Sequence, residues 1–410
     1  MKVSFLAIGE EIISGFREEK NIRNSSPYLY SLGFSIYIQC VGDKKEDIKF
    51  ALKQAESFSD IIICSGGLGS TEDDLTRFAV SEYFNVPLEE NREALEDMKA
   101  KIKARSGKDD IPEILKIQCL LPAGSKPILN KSGSAPGFKI EKNGKVFYFL
   151  PGVPQEFSEM FQNFVLREIK EKFSHIKPLE EKVFKIFGLT ETQIQKYLKD
   201  IGIPECVKIS YLPSSPEVTI RITGEKNERF SQFCSKVKEE LKNFIYSENE
   251  KDNISKVVGQ ILKEKGFSVS TAESLTGGEL ANLITDTPGS SNYFKGGEIV
   301  YSNEAKIRLG VKREIIEKFG AVSYECAEEM AKSVREKYGS DFGLSTTGVA
   351  GPDPLEGKPP GLFYIGFSSK NETAAFEFKF NIGRKYIKIL CSHIALKILL
   401  DKIKDNGKNR

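Results

Sequence analysis

Short apolar runs at residues 3–8, 35–41 and 60–64 alternate with segments near 27–32 and 46–58 whose apolar positions recur at helical spacing. That alternation predicts a parallel sheet with helices on both faces, in which ligands sit at the carboxyl ends of the strands. Residues 138–140 and 146–150 flank Asn143-Gly144, the signature of a two-residue hairpin. Leu150-Pro151-Gly152-Val153-Pro154 then opens an amphipathic helix reaching about residue 173.

From about residue 178 the pattern changes. It predicts a strand at 184–187, a capping box on Thr190 and Gln193, a hairpin of 207–212 with 218–223, and a helix over 230–246. A charged linker follows, and then Ile254, Val257, Val258, Ile261 and Leu262 share one helix face. Further strands are expected at 341–347, 363–367 and 376–380, with a Ser323-capped helix before them and a closing helix from Arg384. The predicted fold class is α/β. A doubly wound, mostly parallel sheet spans 1–172, a small α+β linker or assembly unit 173–248, and an α/β domain 249–410.

Composition narrows the function more than the fold. At 410 residues the chain exceeds one ordinary core, in keeping with two or three domains. Its 60 basic and 58 acidic residues nearly cancel, so no global charge draws it to nucleic acid or an anionic membrane. No run approaches the roughly 20 apolar residues of a membrane span, and the N-terminal apolar run is short for a signal peptide. Seven cysteines without a C-x-x-C pair predict free thiols in a reducing cytoplasm and argue against zinc. The only histidines, His175 and His393, lie in segments that read as structural. A serine nucleophile would therefore take its base from Lys, Asp, Glu or Tyr, and a metal would be held by oxygens, favouring Mg²⁺-like ions.

Three stretches carry candidate chemistry. Thr271-Ala272-Glu273-Ser274-Leu275-Thr276-Gly277-Gly278 lies between an apolar run and a helical pattern. That context exposes the Ser274 hydroxyl and places a helix N-terminus behind it, suited to an anion; a plain Ser/Thr-capped helix start fits the same residues. Ser65-Gly66-Gly67-Leu68-Gly69-Ser70-Thr71-Glu72-Asp73-Asp74 combines glycines that let a phosphate approach the backbone with carboxylates suited to a divalent cation. Asn130-Lys131-Ser132-Gly133-Ser134 is a further loop suited to phosphate or ribose.

Together these motifs resemble the competence/damage-inducible CinA family over nearly the whole chain. Residues 1–170 resemble its molybdopterin-binding-type domain through the loops at 65–76, 130–138 and 150–156. Residues 250–410 resemble its nicotinamide mononucleotide (NMN) deamidase domain through 272–278, 289–291, 301–306, 320–323 and 348–352. The family's middle domain is KH-like, although no G-x-x-G RNA clamp is present here. The resemblance implies hydrolysis of the NMN amide to nicotinate mononucleotide and ammonia, without a cofactor. Ser274 would be the nucleophile, Lys306 the general base, and Tyr301 would relay or tune the proton. Ser291 and N–H groups near Gly277 and Gly278 would meet the oxyanion, while Thr276, Thr347 and Arg384 would contact substrate, Arg384 clamping the phosphate.

For the N-terminal domain the resemblance implies an ADP-ribose pyrophosphatase dependent on Mg, Mn or Co. Glu10, Asp73 and Asp74 would hold the ion, with Asp43 and Asn21 as neighbours. Gly66, Gly67, Gly69, Thr71, Asn130 and Ser134 would contact the nucleotide. Three departures fall in this half: Glu10 stands for a usual Asp, Ser70 for a usual Pro, and Ile117 for a usual Lys before Gln118. Two other readings remain open at this point. The N-terminal domain would bind a nucleotide or pterin-like ligand without turnover, or the chain would be a non-enzymatic accessory of DNA uptake. A homodimer is implied by resemblance, and the near-neutral charge counts against direct DNA binding.

Overall fold

The computed structural model describes residues 1–107 and 110–406. The chain forms two compact units, residues 1–180 with 224–226, and residues 181–223 with 227–410.

In the first unit the strands of the main sheet are β1 (Lys2–Ile8), β2 (Ser35–Val41), β3 (Ile61–Ser65), β4 (Lys126–Ile128), β5 (Gly137–Lys142) and β6 (Lys145–Leu150), and Leu88–Glu90 pairs apart from it with Leu120–Pro122. The main sheet has the order β2-β1-β3-β6-β5-β4. The first four are mutually parallel, and β5 and β4 add antiparallel. Strand side chains alternate between two cores. Val3, Phe5, Ile61, Ile63 and Tyr148 pack with the helix Asn21–Ser31 and the helical stretch from Pro154. Leu6, Ile62, Phe147 and Phe149 pack with the helices Lys45–Phe58 and Thr76–Phe84. Burial on both faces is what makes these runs continuously apolar. The hairpin turn is as expected: Asn143 and Gly144 take φ of 53° and 75°, the left-handed pair that a tight turn between twisted strands requires. The helix expected to start at Pro27 starts earlier, at Asn21, with Pro27 inside it. Burial of Ile22, Ser25 and Leu29 on one face outweighs the lost N–H.

The second unit opens with a four-stranded sheet, β7 (Leu179–Phe187), β8 (Val207–Ser214), β9 (Glu217–Glu225) and β10 (Ile245–Ser247), in the order β8-β9-β7-β10. Thr190 and Gln193 form the expected capping box. The long helix expected over 230–246 ends at Glu240, and the chain turns back to pair β10 antiparallel with β7. The apolar residues after Glu240 that continued the helical pattern, Leu241 and Tyr246, are buried by this return instead.

The remaining strands are β11 (Val269–Glu273), β12 (Phe294–Ile299), β13 (Phe342–Gly348), β14 (Leu362–Ser368) and β15 (Thr373–Lys379), in the order β12-β11-β13-β14-β15. β12, β11 and β13 are parallel, and β14 and β15 complete the sheet antiparallel. Helices Ile254–Lys265 and Arg384–Asn406 cover one face with Ile254, Val258, Ile387 and Cys391. Helix Tyr324–Tyr338 covers the other with Cys326, Met330 and Val334. None of the seven cysteines forms a disulfide. No helix among the described residues is long and apolar enough to cross a membrane.

Candidate functional site

In each unit a cavity lies at the carboxyl ends of the parallel strands, where such sheets place ligands. The cavity of the second unit measures about 400 Å³ and is lined by Ser274, Tyr301, Lys306, Thr347, Glu356 and Arg384, among others. Ser274 is the first residue past β11. Its N–H donates to the Thr346 carbonyl at 2.9 Å, and the Leu275 N–H shares that acceptor at 3.3 Å. These bonds hold the turn against β13 and fix the serine at the cavity wall.

Lys306 lies on the helix Asn303–Leu309, whose N-terminus Ser302 caps by accepting from the Ala305 N–H. Because β12 pairs directly with β11, this helix stands beside the turn that carries Ser274. Lys306 Nζ is 3.0 Å from Ser274 Oγ and 3.0 Å from the Val300 carbonyl oxygen, and the residue is 2% exposed. Burial holds its ammonium below the ordinary lysine range, and the charges of Cys326 and Glu356 pull the other way. A buried lysine with one neutral hydroxyl and one carbonyl as partners has no carboxylate bonded to it to fix its proton, which suits a general base.

The other expected residues divide. Arg384 Nη2 donates to the Tyr301 hydroxyl at 3.0 Å and Nη1 to the Gly351 carbonyl at 3.0 Å, so both stand at the cavity rim. Tyr301 is therefore bonded to the arginine and not to the Ser274–Lys306 pair. Thr347 lines the cavity, but its hydroxyl donates to the Ala321 carbonyl at 2.7 Å.

Thr276, Gly277, Gly278 and Ser291 do not line it. Thr276 is fully buried, and its hydroxyl bonds Glu273 at 2.6 Å and Thr346 at 2.7 Å. Gly277 is exposed beyond the turn. The helix Glu279–Thr285 offers no free N-terminus to an anion, because Glu273 occupies it. The Glu273 carboxylate accepts from the N–H groups of Gly278 (2.9 Å), Leu280 (3.0 Å) and Ala281 (2.8 Å). Ser291 is exposed on the turn Ser290–Asn292 that precedes β12. It thus stands at the opposite end of the parallel strands from Ser274.

Two site residues had no signal in the sequence. Glu273 is one, a strand-end carboxylate that turns out to be the cap of the following helix. Glu356 is the other. It lines the cavity in a left-handed conformation, φ 54°, and its two oxygens accept from the N–H groups of Ala321 and Val322 at 3.2 Å each. The Glu356 arrangement joins segments that only the fold brings together, and the Glu273 one, though near in sequence, matches no standard capping pattern.

The cavity of the first unit measures about 540 Å³. Gly66, Gly67, Gly69, Asp73, Asp74 and Ser134 line it together with Asn21 and Asp43. The glycines are required by the loop's own packing: a Cβ on Gly66 would lie 2.1 Å from the Ile8 carbonyl oxygen, and one on Gly69 2.3 Å from Asp74 Oδ2. Asn130 is wholly buried and staples its loop, donating to the Ala135 carbonyl and Glu156 while accepting from the Ser132 and Gly133 N–H groups. Its expected contact with a nucleotide gives way to that role. Thr71 is likewise engaged, its N–H and hydroxyl both donating to Asp74 at 2.8 and 2.5 Å. Arg77, 1% exposed, donates to the Leu68 and Gly69 carbonyls and turns them away from solvent.

The expected metal set does not assemble. Asp74 Oδ1 accepts from the Gly69 N–H at 2.7 Å and Oδ2 from Thr71, so this carboxylate is taken up in closing the loop. Glu10 does not line the cavity, whereas Glu11 and Asp43 do. Among the described residues no three His, Cys, Asp or Glu side chains converge as a metal cage. Asp43 is pushed above the usual carboxylate range by partial burial, against a bond from the Glu10 N–H, and further by the charges of Glu11, Asp73 and Glu10.

Comparison with known proteins matches three successive stretches of the chain. Residues 4–171 match the probable molybdopterin binding domain, 181–247 the damage-inducible protein CinA KH domain, and 251–403 the CinA C-terminal domain. The chain is 40% identical to the competence-damage inducible protein of Caldicellulosiruptor saccharolyticus over 97% of its own length and 98% of the relative's. It is 35% identical to the namesake in Bacillus subtilis over 98% of its length and 99% of that protein's. With its three domains matched in order and full-length relatives well above 30% identity, the chain belongs to the competence-damage inducible CinA family.

Proposed function

We propose that this protein is a nicotinamide-nucleotide amidase whose C-terminal domain releases ammonia from NMN. The observation that carries the reading is a buried Lys306 whose Nζ lies 3.0 Å from Ser274 Oγ in a cavity open to a small molecule. Neutral Lys306 takes the Ser274 proton as Oγ attacks the carboxamide carbon. The resulting ammonium stands beside the tetrahedral oxyanion and offsets its charge. Lys306 then returns the proton to the leaving nitrogen, the C–N bond breaks, and ammonia departs from an acyl-enzyme. Water, deprotonated by the same lysine, attacks the ester and frees nicotinate mononucleotide with Ser274 restored. Arg384, at the rim and preset by Tyr301 and the Gly351 carbonyl, is the residue for the substrate phosphate.

In the same proposal the N-terminal cavity takes a nucleoside diphosphate of the ADP-ribose class. Engagement of Asp74 in its own loop favours the reading in which this domain binds its nucleotide without hydrolysing it. One experiment tests both halves: purified protein is incubated with NMN, and separately with ADP-ribose plus Mg²⁺, Mn²⁺ or Co²⁺, and ammonia and AMP are measured. Ammonia is expected from wild type and none above background from Ser274→Ala. An unchanged rate in that variant would end the nucleophile assignment, and AMP from wild type would restore the pyrophosphatase.

A further inference from the structure

Two residues lining the N-terminal cavity, Asn21 and Gln118, carry buried amide oxygens without a partner. Asn21, 7% exposed, opens the helix after β1 and reaches across the sheet to the ends of β3 and β6. Its Nδ2 donates to Ser65 Oγ at 2.7 Å and to the Gly152 carbonyl at 2.8 Å. A carbonyl accepts only, so this pair of bonds fixes the amide orientation and leaves Oδ1 as the free end, buried and unbonded. Gln118, 3% exposed, enters the same cavity from the turn Ile117–Cys119, and its Oε1 is likewise buried and unbonded. Buried polar atoms are almost always paired, and unpaired ones on two residues that line the same cavity mark where a ligand would complete the bonds.

These two oxygens lie apart in kind from the rest of the cavity. The mouth carries the carboxylates of Glu11, Asp43 and Asp73, and the loop past β3 carries backbone glycines. A carbonyl oxygen repels phosphate oxygens and accepts from hydroxyl or amino groups. We infer that Asn21 Oδ1 and Gln118 Oε1 form an acceptor pair that reads the hydroxyl or amino donors of a nucleoside, making the nucleoside moiety, and not the phosphates, the part of the ligand held by these two residues. The inference rests on the reading of this cavity as a nucleotide site. It assigns Gln118 a role in ligand selection, and Asn21 a double role in holding the loops and presenting an acceptor.

Gln118→Met is the informative variant, because methionine keeps the length and removes the acceptor while leaving the Asn21 bonds intact. Calorimetric titration of the full chain with ADP-ribose and with inorganic pyrophosphate reads the effect on binding. ADP-ribose is expected to bind the variant about tenfold more weakly than wild type, with pyrophosphate unchanged. Equal ADP-ribose affinity in the two proteins would overturn the inference and leave the nucleotide reading standing. The melting temperature without ligand gives an independent arm: an oxygen with no internal partner is a cost to the free protein, so Gln118→Met is expected to melt higher than wild type. A lower melting temperature would show that the oxygen is satisfied internally and would also overturn the inference. Failure of wild type to bind ADP-ribose would overturn the nucleotide reading of this cavity and this inference with it.

Discussion

Lys306 is the residue on which the chemistry turns, because most lysines of a soluble protein are solvated and protonated at neutral pH. Here burial lowers its proton affinity, and Glu356 opposes that shift from the far side of the cavity. The base must be neutral to accept the Ser274 proton, so the amidase rate should rise with pH through the Lys306 pKa. Removing the Glu356 charge removes an interaction that favours the ammonium, so Glu356→Gln should move the acid limb of the kcat/KM profile to lower pH. A limb that stays in place, or moves up, would show that Glu356 does not act on Lys306. Lys306→Met should lower ammonia release by at least about 10³-fold, within the range of general-base contributions. Its sign on stability is the opposite. A lysine whose folded pKa is depressed costs stability at every pH below that pKa and ceases to do so above its unfolded value, so the methionine variant should melt no lower than wild type at neutral pH.

At the scale of elements, the turn after β11 shows what a sequence carries and what it leaves out. Most strands of the two larger sheets, the Asn143-Gly144 hairpin and the Thr190 capping box were legible, because each is encoded by residues within a few positions of one another. The Ser274–Lys306 pairing was legible only by resemblance, since 32 positions separate them and nothing local says that β12 lies beside β11. The placing of Thr276 and Gly278 against substrate failed for a definite reason. A carboxylate within the strand folds forward onto the helix it precedes and consumes the donors that a bare helix N-terminus would offer. Glu273 therefore fixes the turn from below. Glu273→Ala should destabilise the domain by about 3 kcal/mol, since the Thr276 hydroxyl and three N–H groups lose their buried acceptor together. Denaturant unfolding monitored by circular dichroism checks the magnitude, and a change under about 0.5 kcal/mol, the level of ordinary surface substitutions, would remove Glu273 from this role. The missed strand Ile245–Ser247 has a related origin: helical spacing continued past Glu240, and only the return to β7 buries Tyr246.

On the scale of the whole molecule, the KH-like sheet and the α/β domain that follows are continuous in their packing. Phe187 and Tyr246 belong to the same buried cluster as Ile254, Val258 and Leu262. Glu217, 5% exposed, joins the two segments by accepting from the Tyr246 hydroxyl at 2.6 Å and from the Ile254 N–H at 3.3 Å. Lys397 adds a bond from the closing helix to the Asn243 carbonyl at 3.1 Å. A chain cut after residue 248 would thus uncover part of the core that supports β11 and leave the Ile254 N–H without its carboxylate. A fragment of residues 181–410 should keep amidase activity and unfold in one transition. A fragment of residues 249–410 should melt lower by roughly 5–10 °C, the loss of two aromatic contacts and a buried hydrogen bond amounting to a few kcal/mol. Calorimetric melting of the two fragments, with ammonia release as the control for a native site, decides the matter. Equal melting temperatures would mean that the middle sheet is a passive neighbour, whereas the expected gap would make it a structural part of the amidase, holding from outside the strand that leads to Ser274.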